Sequence, residues 1–594
     1  MKLGDFSTTP RVLPITLLAI VIGGLSAFVA LALLWLIGLF TNLFFFQRWS
    51  TALIAPAGNH LGPLVILVPV SGAVVIGFMA RYGSERIRGH GIPEAIESIL
   101  IGGSRIQPRV AFLKPISSAL SIGTGGPFGA EGPIIMTGGA FGSMVAQFFR
   151  LTAAERKTLL VAGATGGMAA TFAAPVASTL LGVELLLFEW KPRSLIPVAM
   201  ASATAALLRP YIIGPGPMFP MAAQAAAIGP VVLLGCALAG LLAGALSSVV
   251  TMAVYAVEDA FRLLPLHWMW WPAIGGVVVG LGGLVFPQAL GVGYDVIAAL
   301  LRGDVVHNFI IGILVVKSII WAVSLGSGTS GGVLAPLLMM GGALGGLEAG
   351  FLPVQAAGFW PLVSMSAVLG GTMRIPLTAV IFSVELTHNL DMMLPLLVST
   401  VVAHGFTVLA MRRSILTEKV ARRGYHLTCE YAIDPLEVLF VREVMRTNLV
   451  VLPPEIEAAK GAAAALADGA GWQRVYPVAD AGRRLLGVLN RRELERLAGE
   501  PGSRRLVEAA RLARAVAYPD EPLSVVVYRM ASTGVTSLPV VERSDAHKLA
   551  GMVALDDLLK ARARHLEEER RRERALHLRF RRPRRQPGPV SILR

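Results

Sequence analysis

SIGTGGPFGAEGPIIMTGGAFGS, residues 121–143, and SLGSGTSGGVLAPLLMMGGALGG, residues 324–346, are two copies of one pattern. Ser121/Ser324, Gly123/Gly326, Gly125/Gly328, Gly129/Gly332, Pro133/Pro336, Met136/Met339, Gly138/Gly341, Gly139/Gly342, Ala140/Ala343 and Gly142/Gly345 coincide at one spacing of 203 residues, ten matches in 23 positions without a gap. A second pair follows at a spacing of 201: "PVASTLLGVEL" from Pro175 reaches Glu184, and "PLTAVIFSVEL" from Pro376 reaches Glu385. Two halves of about 200 residues, each with a glycine-broken apolar helix in the corresponding place, point to a transporter-type repeat with its site near the bilayer midplane.

The surrounding composition agrees with membrane depth. Of 594 residues, 54% are hydrophobic and 15% charged, against about 25% charged in a soluble protein; mean hydropathy is +0.65. Val12–Gln47 holds 36 residues without one Asp, Glu, Lys or Arg. About 20 apolar residues already span a bilayer, so this stretch predicts a long, tilted spanning helix. It is too long for a secretory signal, and no small-residue cleavage pattern closes it. Cys236 and Cys429 give no disulfide framework. Basic residues set the orientation: Arg11 precedes the first span, Leu61–Ala80 returns, and Arg81, Arg86 and Arg88 follow, then Arg105, Arg109 and Lys114. Both clusters are expected on the inner side. The segment Gly91–Gly103 between them is too short to cross and return as spanning helices. Residues 90–101 therefore read as a re-entrant half-helix with Pro93 in its first turn, or else as an amphipathic surface helix.

Each Gly/Pro segment opens a helix whose first N–H groups lack partners and whose N-terminus carries partial positive charge. Three such starts occur, at Gly89–Pro93, Gly129–Pro133 and Gly332–Pro336. A monovalent anion fits convergent N-termini without a full positive charge that would hold it too tightly for throughput. Glu131 stands alone: from Pro115 to Gln147 no other residue is acidic, basic or histidine. An unpaired carboxylate at this depth is costly and marks a functional site. It is an anion placed where a permeating anion would sit, able to plug the path, swing away or take a proton; the alternative is a neutral buried acid.

These segments resemble the signature sequences of the ClC family of chloride channels and chloride/proton exchangers. "GHGIPE" (89–94) is similar to that family's GSGIP, "GAEGP" (129–133) to GxEGP and "GGVLAP" (331–336) to GxFxP, and "RRSILTEKVARRG" (412–424) resembles the end of its last membrane helix. The resemblance implies an all-α polytopic membrane fold of inverted repeats with broken half-helices, assembled as a homodimer with one anion pathway per subunit. It makes Glu131 the gating glutamate and places His90, Gly91, Ile92, Gly129, Ala130, Gly332, Val333, Leu334 and Leu416 along the anion path, with the N–H groups of Val333 and Leu334 at the central site.

Four departures stand out. His90 replaces a serine whose hydroxyl contacts the ion; imidazole can also donate, and if charged would hold the anion harder. Leu334 replaces a phenylalanine, and Leu416 a pore tyrosine. Leu185 follows Glu184 where exchangers often carry a second glutamate for protons. Glu184 is then a candidate proton-path residue or a structural glutamate like Glu385. The expectation is chloride transport that is passive or weakly proton-coupled, with a chloride/proton antiporter or a fluoride exporter as alternatives; Pro133 favours the chloride branch. A membrane enzyme using Glu131 and His90 as acid and base is the competing class, but the chain has no HExxH metal motif. In "GCALAGLLAGALSS" (235–248), Gly240 and Gly244 predict close helix packing, within the subunit or at a dimer seam.

Composition changes near Tyr425. Residues 1–425 read as the transmembrane pathway and 426–560 as a soluble α/β pair, "VYPVADAGRRLLGVLNRREL" (475–494) paralleling "SLPVVERSDAHKLAGMVALDDL" (537–558). This resembles a cytoplasmic CBS pair. Asn490 and Glu493 in one unit, and Ala554 and Asp557 in the other, occupy the positions of its ribose-binding Ser/Thr and Asp, so Asp557 is the candidate nucleotide contact; a packing and dimerisation module is the alternative. Residues 561–594 form a basic tail expected to be solvated and attracted to anionic lipid headgroups. No metal or other cofactor is expected. The expected partners are chloride, protons, the lipid bilayer and a second subunit, not nucleic acid, in the plasma (inner) membrane with both termini cytoplasmic.

Overall fold

In the computed structural model, which describes residues 8–221, 228–425, 434–467, 473–500 and 504–570, the charge-free stretch is one helix, α1 (Val12–Phe46). Its Ile15, Ala19, Ile22, Ser26 and Ala30 are buried, whereas Leu13, Leu17, Val21, Phe28 and Trp35 are more than half exposed. A helix apolar on every face belongs in lipid. Seven helical segments among the described residues are long and apolar enough to cross a bilayer.

The first half continues through α2 (Leu67–Phe78), α3 (Ile92–Leu100), α4 (Pro108–Gly123), α5 (Glu131–Gln147), α6 (Ala153–Phe172), α7 (Pro175–Leu181) and α8 (Pro192–Ile212). The second half runs through α9 (Pro230–Arg262), α10 (Trp271–Val285), α11 (Tyr294–Arg302), α12 (His307–Gly312), α13 (Ser318–Gly326), α14 (Leu334–Glu348), α15 (Phe359–Met373), α16 (Pro376–Thr387) and α17 (Met393–Ala410), and α18 (Ile415–Arg422) closes the membrane unit. In order, the six helices α3–α8 recur in α11–α17, with α12 and α13 together standing for α4. The expected half-helix over residues 90–101 is α3, nine residues long and almost entirely buried.

Reciprocal contacts relate the halves. Gly129 N–H donates to the Gly332 carbonyl at 3.2 Å and Gly332 N–H to that of Gly129 at 2.9 Å. Glu184 accepts from the N–H groups of Leu377 (3.3 Å) and Thr378 (2.9 Å), at the start of α16, and from the Thr378 hydroxyl at 2.6 Å. Glu385 in turn accepts from Val176 (3.0 Å) and Ala177 (2.8 Å), at the start of α7. Each half therefore caps a helix of the other, satisfying N–H groups that have no intrahelical partner. This exchange is what a two-fold relation produces, and it sets the N-termini of α5 and α14 against each other: an inverted repeat. Gly240 and Gly244 do not await another chain. A methyl built on Gly240 would lie 2.5 Å from the Ser399 carbonyl oxygen, and one on Gly244 2.9 Å from Phe406, both on α17.

The chain divides into two compact units, Met1–Glu430 and Tyr431–Arg594. The second contains two antiparallel hairpins, β1 (Val475–Ala479) with β2 (Leu485–Asn490) and β3 (Ser537–Val541) with β4 (Leu549–Ala554). Both show the same irregularity before the last pair of the ladder, at Val478/Ala479 and at Val540/Val541, so the sequence repeat is a structural one. The last described helix, Leu555–Arg570, runs through residue 560, where the sequence reading ends the pair. Cys429 and residues 571–594 of the tail lie outside the described residues.

Candidate anion pathway

Glu131 begins α5 and is wholly buried. Neither of its carboxylate oxygens has a hydrogen-bond partner within normal geometry. The side chain folds back over its own loop: a methyl built on Gly129 would sit 1.7 Å from Oε2, and one on Gly332 would sit 3.0 Å from it. The N–H groups of Glu131 itself and of Ala335, in the first turns of α5 and α14, face the carboxylate, and Tyr294 and Lys317 are the side chains that act on it electrostatically. A carboxyl group thus occupies the gap between two opposed helix N-termini, where backbone dipoles favour an anion.

A third helix start meets these two. A methyl on Gly132 would lie 2.0 Å from the His90 carbonyl oxygen, and one on Gly91 2.8 Å from that of Gly132. Gly91 has φ of +88°, a conformation only glycine adopts without strain. Its N–H, expected to face the anion, donates instead to Glu94 Oε2 at 3.0 Å. Glu94 Oε1 accepts from Arg423 at 2.8 Å, and Arg423 also pairs with Glu97, so the segment around α18 clamps α3. That leaves the imidazole as the polar group at this start: His90 is 2% exposed and its Nδ1 has no partner. The charged groups around it are Glu94, Lys419, Lys114 and Arg423. Leu416 is wholly buried on α18 in the same apolar core as Ile92, Ala130, Val333 and Leu334. The neighbouring Ile415 carbonyl accepts from the Tyr255 hydroxyl.

Two lysines hold these loops; the sequence reading takes Lys114 only as an inner-side charge and does not single out Lys317. Lys114 Nζ donates to the carbonyls of Ile87 (2.9 Å) and Gly89 (2.7 Å) and to Ser330 Oγ (3.0 Å). Lys317 Nζ donates to those of Ala289 (2.9 Å) and Gly291 (2.8 Å). Both are fully buried, and they stand at the 203-residue spacing of the repeat, the one signal that would have found them. Gly291-Val292-Gly293 is the counterpart of Gly89-His90-Gly91 and opens a fourth helix start, α11, with Gly293 at φ +79°. Beside Gly89 and Arg88 lies a cavity of about 480 Å³ lined by Arg86, Arg88, Arg262, Lys419 and Arg423 together with Glu85, Glu97 and Glu258. The Arg88 guanidinium lies 4.4 Å over the Trp268 ring. This mouth carries a cationic excess that concentrates anions.

Glu184 is not among the converging groups; it caps α16, and Leu185 beside it is buried and apolar. In the second unit, Asp557 accepts from Arg446 Nε at 2.7 Å and Nη2 at 2.5 Å, and from the Ala554 N–H at 3.0 Å. Asn490 and Glu493 cap each other's N–H groups at 2.9 Å. Among the described residues no cluster of three or more His, Cys, Asp or Glu is placed to hold a metal ion.

The family model for the voltage-gated chloride channel matches residues 71–408, well over half of the chain. The chain belongs to the voltage-gated chloride channel family. The CBS-domain model matches residues 441–499 and 514–564, so this family member carries a CBS pair. A ClcB-like chloride channel protein of Ralstonia nicotianae is 28% identical over 351 residues, 57% of this chain and 81% of the relative. The H(+)/Cl(−) exchange transporter ClcA of Salmonella arizonae is 29% identical over 416 residues, 67% of this chain and 85% of the relative. Among solved structures, a slow cyanobacterial Cl−/H+ antiporter superposes with a TM-score of 0.60 at 23% identity, over 70% of this chain and 99% of that one. A eukaryotic CLC transporter superposes with a TM-score of 0.58 at 19% identity, over 92% and 98%. These likenesses establish the ClC fold.

Proposed function

We propose that this ClC-family membrane protein moves chloride through a pathway gated by Glu131, with passive or weak proton coupling. The observation that carries this reading is the buried Glu131 carboxylate lying unpaired between the opposed starts of α5 and α14. An anion enters from the basic mouth beside Arg88, passes the His90 imidazole, and reaches the amides at Val333, Leu334 and Ala335. His90 serves as a hydrogen-bond donor there; Lys114, Lys419 and Arg423 supply the positive field. The carboxylate blocks the next position. Protonation removes its charge, or a second anion displaces it, and the path opens.

Weak coupling follows from chemistry around Leu185. A proton route needs a titratable group, and Leu185 has none, while both oxygens of Glu184 are engaged at the start of α16. Coupled exchange is the second reading, favoured by the relative named as an H(+)/Cl(−) exchange transporter. The basic clusters support an orientation with both termini in the cytoplasm of an inner-membrane protein, and family resemblance supports a homodimer. For the CBS pair we propose a packing and dimerisation module without bound nucleotide, because the Asp557 carboxylate is already held by Arg446.

Flux in liposomes with opposed chloride and proton gradients tests the reading. The expected result is chloride movement down its gradient with little uphill proton movement. Proton pumping at a fixed ratio to chloride overturns weak coupling, and absence of chloride flux overturns the transport reading.

A further inference from the structure

Tyr294 begins α11, one residue after the positive-φ Gly293. Its ring lies 6.4 Å from Phe172 and 6.2 Å from Phe219, centroid to centroid. A phenylalanine would satisfy that packing equally well. The hydroxyl, however, is buried and makes no hydrogen bond within normal geometry. Leaving such a group without a partner is unfavourable, and the charged group it faces is Glu131, whose two oxygens are likewise unpartnered. An unused donor and an unused acceptor therefore confront each other at the point where the path is blocked.

The repeat sharpens the point. Val292 stands where the first half has His90, and Tyr294 where it has Ile92. Each half thus brings one ring donor to the converging starts, the imidazole by α3 and the phenol by α11. Two titratable side chains act on Glu131, Tyr294 on α11 and Lys317 from the turn joining α12 and α13; His90 meets the same loop through its carbonyl, which packs on Gly132. Lys317 is itself tied to the carbonyls of Ala289 and Gly291 and faces Asp295. Of these two, the phenol is the neutral donor without a hydrogen bond of its own.

We infer that Tyr294 is a positioning residue of the gate, its hydroxyl the donor that the Glu131 carboxylate takes up on settling between α5 and α14 and that the anion takes up when the carboxylate leaves. The inference rests on the reading of Glu131 as the gate. A hydrogen bond to the charged form favours that form, so the phenol holds the gate closed against protonation.

The test is chloride efflux from liposomes over a range of external pH for wild type, Tyr294→Phe, Glu131→Gln and the double variant. Tyr294→Phe keeps the ring contacts, and size-exclusion chromatography checks that it folds. Its half-activation is expected at a pH about one unit higher, roughly tenfold fewer protons. In the Glu131→Gln background the same substitution is expected to leave the pH profile where Glu131→Gln set it. If Glu131→Gln changes the profile and Tyr294→Phe does not, the partnership fails and the gate stands. An equal shift in both backgrounds also overturns the partnership, since the phenol then acts on another group. If Glu131→Gln leaves the profile as in wild type, the gate reading itself fails, and the inference with it.

Discussion

Gly129→Ala separates the gate from its surroundings, because the methyl it adds goes where the carboxylate lies. The three atoms nearest to a Cβ at this position are Oε2, Cδ and Oε1 of Glu131, at 1.7, 2.5 and 2.6 Å. An ordinary contact is roughly 3.5 Å, so the observed carboxylate position is eliminated. The obstruction is the mobile end of one side chain, not backbone, and Gly129 has no left-handed φ that alanine would strain. Rotating the carboxylate to another staggered well is cheap beside the overlap, costing about 1 kcal/mol even if it stops off-rotamer. The variant is expected to fold, to carry chloride at neutral external pH at a rate approaching that of Glu131→Ala, and to lose most of its response to external acid. Liposome efflux against external pH measures this, with size-exclusion profiles as the folding control. Gly332→Ala is the contrast: its methyl meets the Gly129 carbonyl oxygen at 2.4 Å and the Gly132 nitrogen at 2.9 Å, so it is expected to disrupt the fold. A folded Gly129→Ala protein with wild-type flux and pH response would refute the placement of the gate.

Two further outcomes follow from the hydrogen-bond geometry. Glu184→Ala should destabilise the protein by about 2–3 kcal/mol through loss of three hydrogen bonds to a carboxylate, and Glu385→Ala, which loses two, by about 1 kcal/mol less. Denaturant unfolding reads the difference. Neither variant should alter the ratio of protons to chloride, and a changed ratio in Glu184→Ala would make that residue a proton relay. At the CBS pair, adenine nucleotides at millimolar concentration should leave the melting midpoint of the full chain unchanged; a rise of several degrees that disappears in Asp557→Asn would show that the ribose displaces Arg446.

Much of this protein is written locally. The charge-free run from Val12 demands one long lipid-facing helix. The glycine and proline positions around Glu131 and Pro336 mark helix starts at membrane depth, and the 203-residue spacing declares two related halves. Lone Glu131 stands out because burying an unpaired carboxylate is costly. These features depend on residue type and spacing along the chain, so the sequence alone determined the fold class, the repeat and the anion-favouring helix starts. Which groups surround the carboxylate depends on how the halves face each other across hundreds of residues. Only the tertiary structure decided that Glu184 caps α16, that Glu94 takes up the N–H of Gly91, and that Lys317 and Tyr294 stand beside Glu131. Glu184 and Glu385 look alike on paper as buried acids; the two-fold exchange of helix caps between the halves gives them partners. Tyr294 reads as one more aromatic in an apolar chain until the turn at Gly293 brings its hydroxyl to the gate. Pairings of this kind are set by packing between distant segments, and no local spacing encodes them.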